Sequence, residues 1–99
     1  MPLSNEQKKQ YRSIGHDLKP VVTVANNGLT ENVLKEINRA LDDHELIKVK
    51  IAISDRDSRS EVADEISQQT KAIQVQQIGK VVLLLREAKR PNSKLSNIR

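Results

Sequence analysis

Leu46 through Ser54 alternate without a break: Ile47, Val49, Ile51 and Ile53 fall on one side of an extended chain, Lys48, Lys50, Ala52 and Ser54 on the other. A helix would scatter these apolar groups around its circumference, so the segment is a strand, and the polar side means that one face only is covered. The cover must come from the rest of a 99-residue chain, which has room for one two-layer core.

Two segments supply that cover. Val33, Leu34, Ile37, Ala40 and Leu41 form a helical stripe behind Thr30, a suitable N-cap with Glu31 in the first turn. Ser58 and Glu61 form a capping box ahead of Val62, Ala63 and Ile66. An earlier helix starts at Ser4, boxed with Gln7, carries Tyr11, Ile14 and Leu18, and is stopped by Pro20. The β-branched run Val21–Val24 reads as a strand that empties into Ala25-Asn26-Asn27-Gly28. Ala72–Ile78 and Val81–Leu85 read as a hairpin, with Gly79 at the first central position of a type II′ turn. The last strand is apolar almost throughout, which places it centrally in the sheet.

The expected fold is therefore α/β (two-layer α+β), α-β-α-β-α-β-β, with a four-stranded mixed sheet and helices mainly on one face. Right-handed crossovers put the helices on the same side and leave a polar face carrying Lys48 and Lys50. Residues 1–86 form one domain. Residues 87–99 are basic, lack periodicity and are expected to be a disordered tail.

Composition narrows the function. There is no cysteine, which excludes a disulfide scaffold, a thiol nucleophile and thiolate metal sites. Tyr11 is the single aromatic residue of the Phe, Trp and Tyr class, so a platform that stacks bases on several rings is excluded. No apolar run approaches membrane-spanning length and no leader opens the chain, so a soluble, cytoplasmic protein without membrane contact is expected.

The net charge of +4 is unevenly spread. Residues 29–69 hold ten acidic and six basic side chains, whereas residues 70–99 hold seven basic groups against Glu87 alone. A bipolar chain of this kind has one face suited to a polyanion. Lys8, Lys9 and Arg12 cluster on the first helix, with Lys19 beyond it, and Lys48, Lys50 and Lys80 follow later. The Ala25–Gly28 loop runs from a strand end to a helix start, where main-chain N–H groups and the helix dipole attract anions. As plain sequence, the same residues also suit an ordinary connecting turn.

Catalysis is poorly supported. His16 and His44 are far apart in sequence, and Asp42-Asp43-His44-Glu45 lacks metal-ligand spacing. A hydrolase built on His44 and Asp43 has no nucleophile with base and orienter. No metal or cofactor is expected. A protein–protein adaptor that docks a basic partner through Glu31, Glu36, Asp42 and Asp64 is the alternative from another class.

Four strings, in this order and spacing, resemble the CRM domain, named for chloroplast RNA splicing and ribosome maturation. They are Leu18-Lys19-Pro20-Val21-Val22, Asn27-Gly28-Leu29-Thr30-Glu31, His44-Glu45-Leu46-Ile47-Lys48-Val49-Lys50 and Gln76-Gln77-Ile78-Gly79-Lys80. The similarity runs from Leu3 to Arg86 and extends to the stand-alone bacterial YhbY-like form. It implies an RNA-binding α/β domain similar to the carboxyl-terminal domain of translation initiation factor three. The implied partner is precursor RNA of the large ribosomal subunit. Ribosomal proteins, docked by the acidic helices, are the partners of the adaptor alternative, and a monomer is expected.

The family's first loop reads G-x-x-G, like the phosphate-clamping loop of KH domains. Gly28 matches its second glycine, Asn26 and Asn27 its variable pair, and Ala25 replaces the first glycine. Leu85 stands where an aromatic is common in the family, and Lys71 where glycine is common. The expected RNA-binding set is Ala25, Asn26, Asn27 and Gly28 with Lys8, Lys9, Arg12 and Lys19, and secondarily Lys48, Lys50 and Lys80.

Overall fold

Ser4 opens the first helix, α1 (Asn5–His16), with a reciprocal cap: the Gln7 N–H donates to Ser4 Oγ and the Ser4 N–H to Gln7 Oε1. The computed structural model describes residues 3–98. Met1, Pro2 and Arg99, the last counted among the basic groups of the tail, lie outside the described residues. After α1 come β1 (Pro20–Val24), α2 (Glu31–His44), β2 (Leu46–Ile51), α3 (Arg56–Thr70), β3 (Ile73–Ile78) and β4 (Val81–Leu85).

Thr30 caps α2 as its sequence predicts, its hydroxyl accepting from the Val33 N–H. The cap of α3 differs from expectation. Asp55, not Ser58, is the N-cap, because its carboxylate accepts from both the N–H and the hydroxyl of Ser58. The β3–β4 turn closes on the Ile78↔Val81 pair with Gly79 at φ +55°, while Lys80 stays out of the left-handed region, as a type II′ turn requires.

The strands lie in the order β1-β2-β4-β3, with β1 parallel to β2 and β4 antiparallel to both its neighbours. The two crossovers, β1-α2-β2 and β2-α3-β3, step in the same direction across the sheet. One handedness therefore sends α2 and α3 to one face. Val22 and Val24 of β1, Ile47, Val49 and Ile51 of β2, and Val82 and Leu84 of β4 point into that layer. They meet Ile37 and Leu41 of α2 and Ala63 and Ile66 of α3. Each large side chain removed from water here stabilises the fold by about 1.5–3 kcal/mol.

The first helix departs from the expected arrangement. It precedes every strand, so the crossover rule does not govern it, and it packs on the other face. There Tyr11, Ile14 and Leu18 join Leu46, Val75, Leu83 and Leu85 in a second, smaller cluster. The face expected to be left polar is thus half covered, and Lys48 is half-buried while Lys50 remains exposed.

Residues 87–98 form no helix or strand, yet they differ from the disordered tail expected of their composition. Glu45 is wholly buried between them and β2, accepting from the Ala88 N–H at 2.8 Å and from the Ser96 hydroxyl at 2.9 Å. Asn97 donates to the carbonyls of His44 and Leu46, and Ile98 packs against the second cluster. Short polar side chains fasten this segment, which is why no hydrophobic period announced it.

Candidate nucleic-acid interface

The loop after β1 is an exposed turn. The Gly28 N–H donates to the Ala25 carbonyl at 2.9 Å, and Ala25, Asn26 and Asn27 are all exposed. Gly28 has φ +81°, a backbone state that favours glycine, and a Cβ built there would meet nothing within 4 Å. Ala25 does not adopt a positive φ, so alanine fits this position without strain. One expected donor is unavailable to a ligand, since the Gly28 N–H closes the turn. Among the described residues, no group accepts from the main-chain N–H of Asn26, Asn27 or Leu29. The first turn of α2 follows directly, with Glu31 as its one acidic residue.

Two expected cations gather at the same end of the sheet. The Ala52 N–H donates to Val24, just before the loop, and the neighbouring Ile51 N–H donates to Lys80 in the hairpin turn. Loop and turn therefore flank the end of β2 on either side. Lys50 stands beside Thr23 in the register, close to where β1 enters the loop. Asp55 also follows β2 at this end. Its carboxyl is held below the ordinary aspartate value, first by the Ser58 hydroxyl and then by the Ser58 N–H.

A groove of about 620 Å³ opens between α1 and the uncovered half of the sheet. Lys9, Arg12, Ser13 and His16 form its helix wall, a single stripe at i, i+3, i+4 and i+7. Lys48, Gln76, Ile78, Val81 and Leu83 line the strand side. Gly15 lets the helix pack directly on Leu83, and the strand positions beyond remain open.

The structure thus divides the expected site residues. Lys50 and Lys80 share the loop's end, and Lys9, Arg12 and Lys48 share the groove. Lys8 is half-buried on α1 without lining the groove; Lys19 precedes Pro20, at the opposite end of β1 from the loop. Sequence reasoning did not include His16, Gln76, Ile78 or Val81. The stripe on α1 was present as a signal, but only the packing of α1 shows what it faces.

Three of the side chains offered for other functions are engaged within the chain. Asp42 pairs with Arg86 at 2.8 Å, and Asp64 accepts from Gln74 Nε2 at 2.8 Å. His44 Nδ1 lies 2.7 Å from the Leu95 carbonyl.

A chain with this mixed sheet, split helix layers and basic groove is an α/β domain of the type that presents a strand-to-helix loop beside a cationic surface. The model of the CRS1/YhbY (CRM) domain matches residues 3–86, and the chain belongs to that family. A Pseudomonas aeruginosa protein named as a probable RNA-binding protein is 57% identical over 98 residues, covering 99% of this chain and 94% of that one. A Haemophilus influenzae protein named as an RNA-binding protein is 49% identical over 84 residues, 85% of each chain. The solution structure of the hypothetical protein SAV1595 from Staphylococcus aureus superposes with a TM-score of 0.79 at 34% identity, covering 90% of this chain and 93% of that one.

Proposed function

We propose that this chain is a non-catalytic, cytoplasmic RNA-binding protein that acts in assembly of the large ribosomal subunit. The loop Ala25–Gly28 holds the sugar–phosphate backbone through the N–H groups of Asn26, Asn27 and Leu29. Lys50 and Lys80 supply positive charge beside it, and Lys9, Arg12 and Lys48 extend the basic surface along the groove. The observation that carries this reading is the exposed turn, with its glycine at positive φ, at a helix N-terminus and on the same end of the sheet as Lys50 and Lys80. The naming of the relatives as RNA-binding proteins supports it.

The test is binding to precursor RNA of the large subunit by a variant with Asn26→Asp and Asn27→Asp. For every phosphate that the variant ceases to neutralise, the slope of log affinity against log salt should fall by about 0.7–0.9. Unchanged affinity and slope would remove the loop from the interface. Co-sedimentation with precursor subunits should be abolished by ribonuclease. Persistence after ribonuclease would mean docking on a ribosomal protein.

A further inference from the structure

The open half of the sheet carries a feature that backbone binding leaves unused. Ile78 is 65% exposed at the edge of the groove, with Val81 and Leu83 beside it on the same face. These methyl groups lie between Arg12 and Lys9 on the helix wall and Lys48 on the strand side, and among the described residues no carboxylate lines the groove. A duplex offers phosphates to such cations but keeps its base faces stacked away from an aliphatic floor. A nucleotide with an unstacked base has both parts, a flat apolar face and an anionic phosphate.

Resting on the RNA-binding reading, we infer that the groove is a seat for an unpaired nucleotide of single-stranded RNA. The base lies on Ile78 and Val81, above the buried Leu83, and the flanking phosphates meet Arg12, Lys9 and Lys48. Gln76 brings an amide to the floor, able to donate to and accept from a base edge. His16 brings a ring to the helix wall, where bases stack on imidazole as on other rings. The volume of about 620 Å³ is within the range of small-molecule sites and exceeds what a phosphate alone fills. Recognition of RNA by this chain then has two parts, a backbone clamp at the loop and a preference for unpaired nucleotides at the groove.

The experiment follows the amides of Asn26, Asn27 and Gly28 and the methyls of Ile78, Val81 and Leu83 by NMR. The folded chain is titrated with a short single-stranded RNA and, separately, with the duplex it forms with its complement. The single strand should shift both sets of signals, and the duplex the loop amides alone. Ile78→Ser, at an exposed position that tolerates a polar group, should weaken single-strand binding about five- to tenfold with the salt slope unchanged. Arg12→Gln should weaken it and lower the slope. If the loop amides shift while the groove methyls stay still, the groove assignment is overturned and the RNA-binding reading survives. If neither set shifts with either RNA, both fall. Methyl shifts produced by a basic ribosomal-protein peptide, and not by RNA, would assign the groove to a protein partner and overturn the inference.

Discussion

Gly15 of α1 lies so close to Leu83 of β4 that a Cβ built on it would stand 2.7 Å from one Leu83 methyl and 2.8 Å from the other. This contact sets how far the helix sinks into the sheet, and so where the groove begins. Gly15→Ala adds helix propensity of about 1 kcal/mol but forces a buried leucine aside, at about 1–3 kcal/mol. The expected net effect is destabilisation by roughly 1 kcal/mol in urea unfolding. In a Leu83→Ala background the obstruction is gone, so the same change should become stabilising. A sign that stays the same in both backgrounds would show that Leu83 does not set the spacing.

Lys71 ends α3 in the left-handed region, at φ +59° and ψ +25°. This explains why glycine suits the position: it takes that conformation without a Cβ clash. Because the residue is exposed, Lys71→Gly should stabilise the fold by about 0.5–1 kcal/mol. Glu45, at φ +64°, is the contrasting case. Its carboxylate anchors Ala88 and Ser96, so Glu45→Gly should destabilise and release the tail despite relieving the backbone. Hydrogen exchange at the Ala88 and Asn97 amides would report the release.

Arg86, just after β4, ties α2 to α3. Its guanidinium donates to the side chain and carbonyl of Asn38 in α2, to Asp42 in α2, and to the Thr70 carbonyl at the end of α3. The Thr70 bond satisfies a helix-terminal acceptor. Arg86→Ala should cost about 2–3 kcal/mol, and Arg86→Lys most of that, because an ammonium lacks the planar fork. Asp42 is 71% exposed, so Asp42→Asn should cost less than ~1 kcal/mol. Equal losses from both changes would mean that the ion pair, and not the carbonyl bonds, is what matters.

The parts of the molecule governed by local rules were legible from residue order. The stripe Ile37–Leu41, the alternation around Val49, and the caps at Ser4 and Thr30 each follow from a spacing of a few residues. Asp55 was harder because Ser58 and Glu61 offered a competing cap nearby, and only the fold shows which oxygen receives two donors. The position of α1 was not legible, since no crossover constrains a helix ahead of the first strand. The groove was hidden for the same reason: α1, β2, β3 and β4 all line it, and no local spacing records their meeting. The ordered tail was hidden because its anchor is one buried carboxylate, and charged residues such as Glu45 are ordinarily solvated.

Asp55 links the cap of α3 to pH. Its carboxyl is held below the ordinary value of 3.8 by the Ser58 hydroxyl and N–H. A depressed folded-state value means that stability is fully present above the unfolded value and is lost as pH falls through the folded one. The parent chain should therefore be more stable than Asp55→Ala at neutral pH, with the difference shrinking once pH drops below 3.8. Urea midpoints of the two proteins across this interval test it, and a difference independent of pH would detach the cap from the ionised carboxylate.

The loop makes distinct predictions at its two ends. Gly28 holds φ +81° with open space around its Cα, so Gly28→Ala meets no clash and incurs only backbone strain of about 1 kcal/mol. If that strain redirects the Asn26 and Asn27 amides, RNA affinity should fall by about tenfold while the chain stays folded. Ala25 already has an unstrained conformation, so Ala25→Gly should leave affinity within about threefold even though it creates a G-x-x-G sequence. Glu31 places a carboxylate in the first turn of α2, where it steadies the helix but repels an incoming phosphate. Glu31→Gln should therefore tighten RNA binding severalfold while lowering stability by about 0.3–1 kcal/mol. Filter binding at several salt concentrations, paired with urea unfolding of each variant, separates the two effects. Weaker binding by Glu31→Gln would place the phosphate away from this helix end.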